Sequence, residues 1–150
     1  MATLSRKEKK MKRIREMDGA YSGSLGVELV SNGSFESVDD WTFGNGWILD
    51  VINDAAETDG TSVGILLQAI TGGLEDGGLY LVSFVLKGVN DLTKNFTITL
   101  GGNIYVIGAQ NGLHQSAIKA GALDDAIQFT VNTLDAYVGL VDSVSLRKIG

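Results

Sequence analysis

The feature that most constrains this chain is its punctuation. Asp59-Gly60, Gly72-Gly73, Asp76-Gly77-Gly78, Asn90-Asp91, Gly101-Gly102, Asn111-Gly112 and Asp124-Asp125 divide residues 27–148 into short runs. Gly and Asn turn the backbone cheaply because both tolerate positive φ, and Asp initiates turns through its own side chain. The runs between them are rich in Val, Ile, Leu, Thr and aromatic residues, and they are too short for stable helices. They predict strands over 27–30, 47–54, 62–69, 78–87, 95–100, 103–107, 115–120, 126–131 and 140–148. Residues 65–70 could also pass for a helix, but the run is short and flanked by glycine, so a strand is expected. Phe96-Thr97-Ile98-Thr99-Leu100, Gly101-Gly102 and Ile104-Tyr105-Val106-Ile107 read as a hairpin. Strands at this spacing with no helix between them predict an all-β sandwich or jelly roll.

Two stretches frame the body. Glu28-Leu29-Val30-Ser31-Asn32-Gly33-Ser34-Phe35-Glu36-Ser37 sets an Asn-Gly turn between apolar residues, and Trp41 and Gly46-Trp47 follow at short range. At the far end, Gly139-Leu140-Val141-Asp142-Ser143-Val144-Ser145-Leu146 alternates as a half-buried strand does. The two ends therefore read as the first and last strands of one sandwich.

These motifs, with the Gly-Leu-Tyr-x-Val-Ser-Phe strand from Gly78 to Phe84, resemble the jelly-roll carbohydrate-binding modules. In that galactose-binding-like family the chain opens on LVxNGxFE…W and closes on DxVxL. The resemblance covers about residues 28–146 and implies a jelly-roll β-sandwich. It implies nothing unique about function, since such modules occur in glycan-degrading enzymes and in bacteriophage virion proteins. It places Trp41 and Trp47 at core-packing positions. It also implies a structural calcium held by Glu36 and Asp142 with nearby carbonyls; Ca²⁺ wants six to eight oxygens. The alternative is that Asp142 serves as a backbone-bonding acid.

Composition narrows the field further. With no cysteine, the chain has no disulfide, thiolate metal site or cysteine nucleophile. No apolar run approaches the ~20 residues of a membrane-spanning helix, and the basic start lacks the apolar core of a signal peptide. The expectation is therefore no membrane and no signal-directed export. Residues 1–18 hold seven Lys/Arg against three acids, a surplus of four, so the remainder must carry −10 to give the net −6.

The basic segment is expected to act separately from the body. Residues 5–17 lack Gly and Pro and are rich in helix formers. Leu4, Met11, Ile14 and Met17 form a narrow apolar stripe. An isolated helix of this length is marginal in water, so order is expected only on docking. The division expected is a basic arm over 1–18, a Gly/Ser linker over 19–26 and a sandwich over 27–150. Arg6, Lys7, Lys10, Met11, Arg13, Ile14 and Met17 are the candidate anchoring residues, set against a plain solvated tail. Protein docking is preferred to nucleic acid, because the arm mixes in glutamates and the acidic body repels phosphates.

Catalytic signatures are missing from the sequence. The lone histidine, His114, reads as a surface turn residue with no partner at a catalytic spacing. No nucleophile elbow, phosphate loop or zinc pattern occurs. Asp39-Asp40, Glu75-Asp76 and Asp124-Asp125 are adjacent acids in turns, whereas glycoside hydrolysis needs two carboxyls facing each other across a cleft.

For sugar recognition, the candidate aromatics are Trp41, Phe43, Trp47, Tyr105 and Tyr137, because a ring face suits the C–H side of a pyranose. Tyr105, alternating with Ile104 and Val106, is expected to face outward, with Asn103, Gln110 and Asn111 as polar companions. Two functions stand in view: a non-enzymatic bacteriophage virion protein of the head or tail, oligomeric and docked on other virion proteins through its arm, and a module binding host-surface polysaccharide. The first implies residence in the virion after synthesis in the host cytoplasm. No cofactor beyond the calcium is expected.

Overall fold

The computed structural model describes residues 25–58, 64–89, 95–131 and 139–150. The arm over 1–18 and most of the expected linker lie outside them. Within the described residues run β1 (Leu25–Glu28), β2 (Thr42–Phe43), β3 (Trp47–Asp50), β4 (Ala55–Thr58), β5 (Ile65–Ala69), β6 (Leu79–Lys87), β7 (Asn95–Leu100), β8 (Asn103–Gly108), β9 (Gly112–Lys119), β10 (Ala126–Val131) and β11 (Gly139–Ile149). The first sheet has the order β3-β4-β11-β6-β9, with β1 paired to β11; the second has the order β2-β5-β10-β7-β8. All pairings are antiparallel. The chain is an all-β jelly-roll sandwich.

Several boundaries move, each for a local reason. The expected strand over 47–54 stops at Asp50, whose carboxylate accepts the Ile52 and Asn53 amides at 2.9 and 3.0 Å and the Asn53 side-chain amide at 2.8 Å. Those bonds, the side-chain one foremost, hold the Asp50 carboxyl below its ordinary pKa. The chain then reverses through Asp54 at φ 47° into β4. The turn chemistry sits inside an apolar run, so the sequence reads through it. Leu25 and Gly26, read as linker, belong to β1 because they pair alongside Ile149.

The opening and closing motifs are one joint. Asn32 sits at φ 49°, and its side-chain amide donates to the Ser37 and Asp39 carbonyls at 2.9 and 2.8 Å while its Oδ1 accepts the Glu36 amide at 3.1 Å. Its own carbonyl accepts the Trp41 indole N–H at 2.9 Å. Gly33 presses on β11 where the register breaks between Asp142 and Ser145, with Ser143 at φ 53°. The Val144 amide donates to the Gly33 carbonyl, and the Leu29 amide to the Leu146 carbonyl, each at 2.9 Å. A Cβ on Gly33 would lie 2.1 Å from the Val144 oxygen, so no larger residue fits.

Between the sheets, aromatic rings pack from one layer to the other. Phe35 lies 5.0 Å from Trp41, Trp41 6.2 Å from Phe129 of β10, and Phe129 5.4 Å edge-on from Phe84 of β6. Each such pair adds ~0.5–1.5 kcal/mol beyond its buried area. His114 continues the row, stacked on Phe84 at 5.1 Å and 8°. The reading of His114 as a surface turn residue is thus corrected: it is half-buried on β9 opposite Phe84, with Nε2 2.7 Å from the Gln110 carbonyl.

Candidate functional site

Side-chain alternation leaves one broad face of the second sheet open. On β7, Ile98 and Leu100 enter the core, and on β10 Ile127 and Phe129 do the same. Thr97, Thr99, Gln128 and Thr130 must then point the other way, Thr97 buried and the other three half-buried. Register aligns them in two rows. One runs Ile65, Thr130, Thr97, Val106; the next runs Leu67, Gln128, Thr99, Ile104. Each row has polar residues on the two central strands and aliphatic residues on the outer ones. Four strands at about 4.8 Å spacing make the face about 14 Å wide.

The face forms a groove of about 560 Å³ closed at one end by Leu123 and Asp124. Leu123 reaches this position because the Gly101-Gly102 turn admits it: its amide donates to the Gly101 carbonyl at 3.0 Å. A Cβ on Gly102 would lie 2.5 Å from the Leu123 Cβ. Asp124 accepts the Ala126 amide at 3.2 Å, which fixes its carboxylate at the mouth. Ile104 and Val106 are 68% and 62% exposed, so the rim is apolar and wet.

The chemistry of this groove is that of recognition. Threonine hydroxyls and the Gln128 amide both donate and accept, and Asp124 accepts. The aliphatic rims offer contact to C–H surfaces. Among the lining residues Asp124 is the one carboxylate, and neither serine, cysteine nor histidine lines it. Hydrolysis of a glycosidic bond by the usual two-carboxylate route needs a second acid across the cleft.

The aromatics weighed for sugar stacking lie elsewhere, Trp41 and Trp47 at the core-packing positions the resemblance implied. Trp41 and Trp47 are buried in the core, and the Trp47 indole donates to the Gly64 carbonyl at 3.0 Å. Phe43 packs on the same core, and Tyr137 lies outside the described residues. Tyr105 does not face outward: it packs on the core, and its hydroxyl donates to the Lys119 carbonyl at 2.6 Å and accepts the Lys119 amide at 3.0 Å. Asn103 donates to the same carbonyl at 3.2 Å. Asn111 accepts the Val89 amide at 2.9 Å, and Gln110, through its carbonyl, meets His114. Asn103 and Tyr105 thus tie β8 to the far end of β9, Gln110 and Asn111 sit at the connection between the two strands, and none of the four lines the groove.

The calcium expectation does not fit the residues present. Asp142 is fully buried, and its carboxylate accepts Lys87 Nζ at 3.0 Å and the Ser143 amide at 2.7 Å. An ammonium therefore supplies its counter-charge, while Glu36 is exposed. Among the described residues no group of three or more acids or histidines converges. A second, smaller hollow of about 490 Å³ lies beside β1, lined by Val27, Leu29, Leu74 and Tyr80 with the Glu75–Lys148 ion pair. The Glu75 carboxylate raises the Lys148 pKa.

Solved structures show where such a sandwich recurs. A family 16 carbohydrate-binding module matches with a TM-score of 0.59 and 13% identity over 79% of this chain and 98% of that one. A family 61 module in complex with β-1,4-galactotriose matches at 0.53 and 16% identity, over 81% and 98%. The fold is that of a carbohydrate-binding module. The enzymatically active domain of tailspike protein 4 from bacteriophage CBA120 also matches, at 0.55 and 20% identity over 82% of this chain. This chain spans 22% of that tailspike domain. At the level of sequence, no protein family and no curated protein matches.

Proposed function

We propose that this chain is a non-enzymatic glycan-binding module and that the outer groove of its second sheet holds the polysaccharide. The observation that carries the reading is the pair of cross-strand rows, with Thr97, Thr99, Gln128 and Thr130 in the centre and aliphatic residues at the rims. A sugar chain presents hydroxyls and C–H surface together, and this face matches both. Affinity would come from hydrogen bonds and aliphatic contact, since no aromatic residue lines the groove. The acidic body favours neutral over acidic chains. The test is retention on neutral β-1,4-linked polysaccharides, compared with the double variant Thr99→Val/Gln128→Ala. Loss of about two hydrogen bonds should weaken binding about tenfold or more. Equal binding by both proteins would reject the groove, and no retention by the parent would reject the glycan reading.

A second reading is a structural role on a bacteriophage virion, supported by the likeness to a tailspike domain. Here the arm's Arg6, Lys7, Lys10 and Arg13 would supply the docking charge. Co-sedimentation with phage particles of the source should be lost in Lys7→Glu/Lys10→Glu/Arg13→Glu at low salt. Failure of the parent to sediment with particles rejects this role without touching the glycan reading.

A further inference from the structure

β6 carries apolar residues on both of its faces. Tyr80, Val82, Phe84 and Leu86 enter the core, which turns Leu81, Ser83 and Val85 onto the outer face of the first sheet. In register beside them stand Asp142, Ser145 and Arg147 of β11, and Leu113, Gln115 and Ala117 of the edge strand β9, of which Leu113 and Ala117 are exposed. A sheet face open to water leaves most of its side chains partly exposed, as Thr99, Gln128 and Thr130 are on the groove face. Leu81 and Val85 are only 4% and 6% exposed, and Ser83 and Ser145 are buried as well. Neither Leu81 nor Val85 belongs to the cluster packed between the sheets. Every described strand lies in one of the two sheets, so none overlies this face.

We propose that residues 1–24 fold back across this outer face, laying the stripe Leu4, Met11, Ile14 and Met17 on Leu81, Val85 and Ala117. Two observations select this occupant. The chain enters at the right place, because Leu25 pairs with Ile149 and Glu28 with Arg147, at the rim of that face. The lengths agree: nine residues of β6 extend about 30 Å, while a helix over 5–17 is about 20 Å long and seven further residues bridge to β1. A strand apolar on both faces is the pattern of one covered on both sides. Docked by its stripe, the arm would turn its lysines and arginines outward, on the side of the molecule opposite the groove.

Limited trypsin digestion of the full chain tests the arrangement, since seven cleavable residues fall within 1–18. Cleavage there should be about tenfold or more slower in the parent than in Met11→Glu/Ile14→Glu, and independent of protein concentration. Equal rates would overturn the proposal. So would protection that grows with concentration, which would put the arm on a second copy. A second measurement does not depend on how those variants fold. Ile14→Cys/Ala117→Cys, in a chain without native cysteine, should oxidise to an intramolecular disulfide in the monomer, whereas Ile14→Cys/Ile104→Cys should not. Absence of the first bond, or equal formation of both, would equally overturn it.

Discussion

Gly33 owes its place to a carbonyl on another strand. Its missing side chain lets the opening loop lie against Val144, where a Cβ would sit 2.1 Å from oxygen. Gly33→Ala must push the loop off the register break in β11 and stretch the 2.9 Å Val144–Gly33 bond. We expect it to cost about 3 kcal/mol in chemical denaturation. Gly108→Ala, where a Cβ meets nothing within 4 Å, is the control and should be near neutral. The Asn32-Gly33 pair was legible as a turn from residue type alone. The reason for Gly33 was not, because the atom that forbids a side chain is more than a hundred residues away in sequence.

Tyr105 shows what an element adds to a residue. Strand alternation allows it to point either way, and reading β8 alone turned it outward. The neighbouring strand contained the answer. Ile98 and Leu100 are the apolar face of β7, and a two-residue Gly101-Gly102 turn forces Leu100 opposite Asn103 and Thr99 opposite Ile104. Ile104 therefore shares the face of Thr99, and Tyr105 shares that of Ile98. Inward, its hydroxyl engages both backbone groups of Lys119 on the edge strand β9. An edge left with unpaired backbone groups is a template for another chain, and Tyr105 occupies two of those groups. Tyr105→Phe should cost about 1–2 kcal/mol and speed amide exchange at Lys119 more than at Thr97.

For the whole molecule, the sandwich was legible and the groove was not. Turn pairs and alternation are local, so strands such as β7 and β10 fall where the sequence predicts them. The groove is instead assembled from residues near 65, 97–99, 104–106 and 123–130, brought together by the order β5-β10-β7-β8. No single stretch carries that order. Thr97, Thr99 and Thr130 read as ordinary strand threonines until their strands are adjacent. Aromatic rings are the residue type that signals a sugar platform, but in this chain Phe43 and Tyr105 pack against the core, as Trp41 does at its expected core position.

The joint between Gly33 and β11 has a consequence in time. On a ribosome the opening loop emerges more than a hundred residues before the strand it must lock onto. β6, in the middle of the sequence, also waits for β11 as its neighbour. Synthesis can therefore complete the second sheet while the first still lacks its central strand. Such long-range closure is slow, and until it happens the unmatched edges of β4 and β6 are the parts of the nascent chain in greatest need of protection.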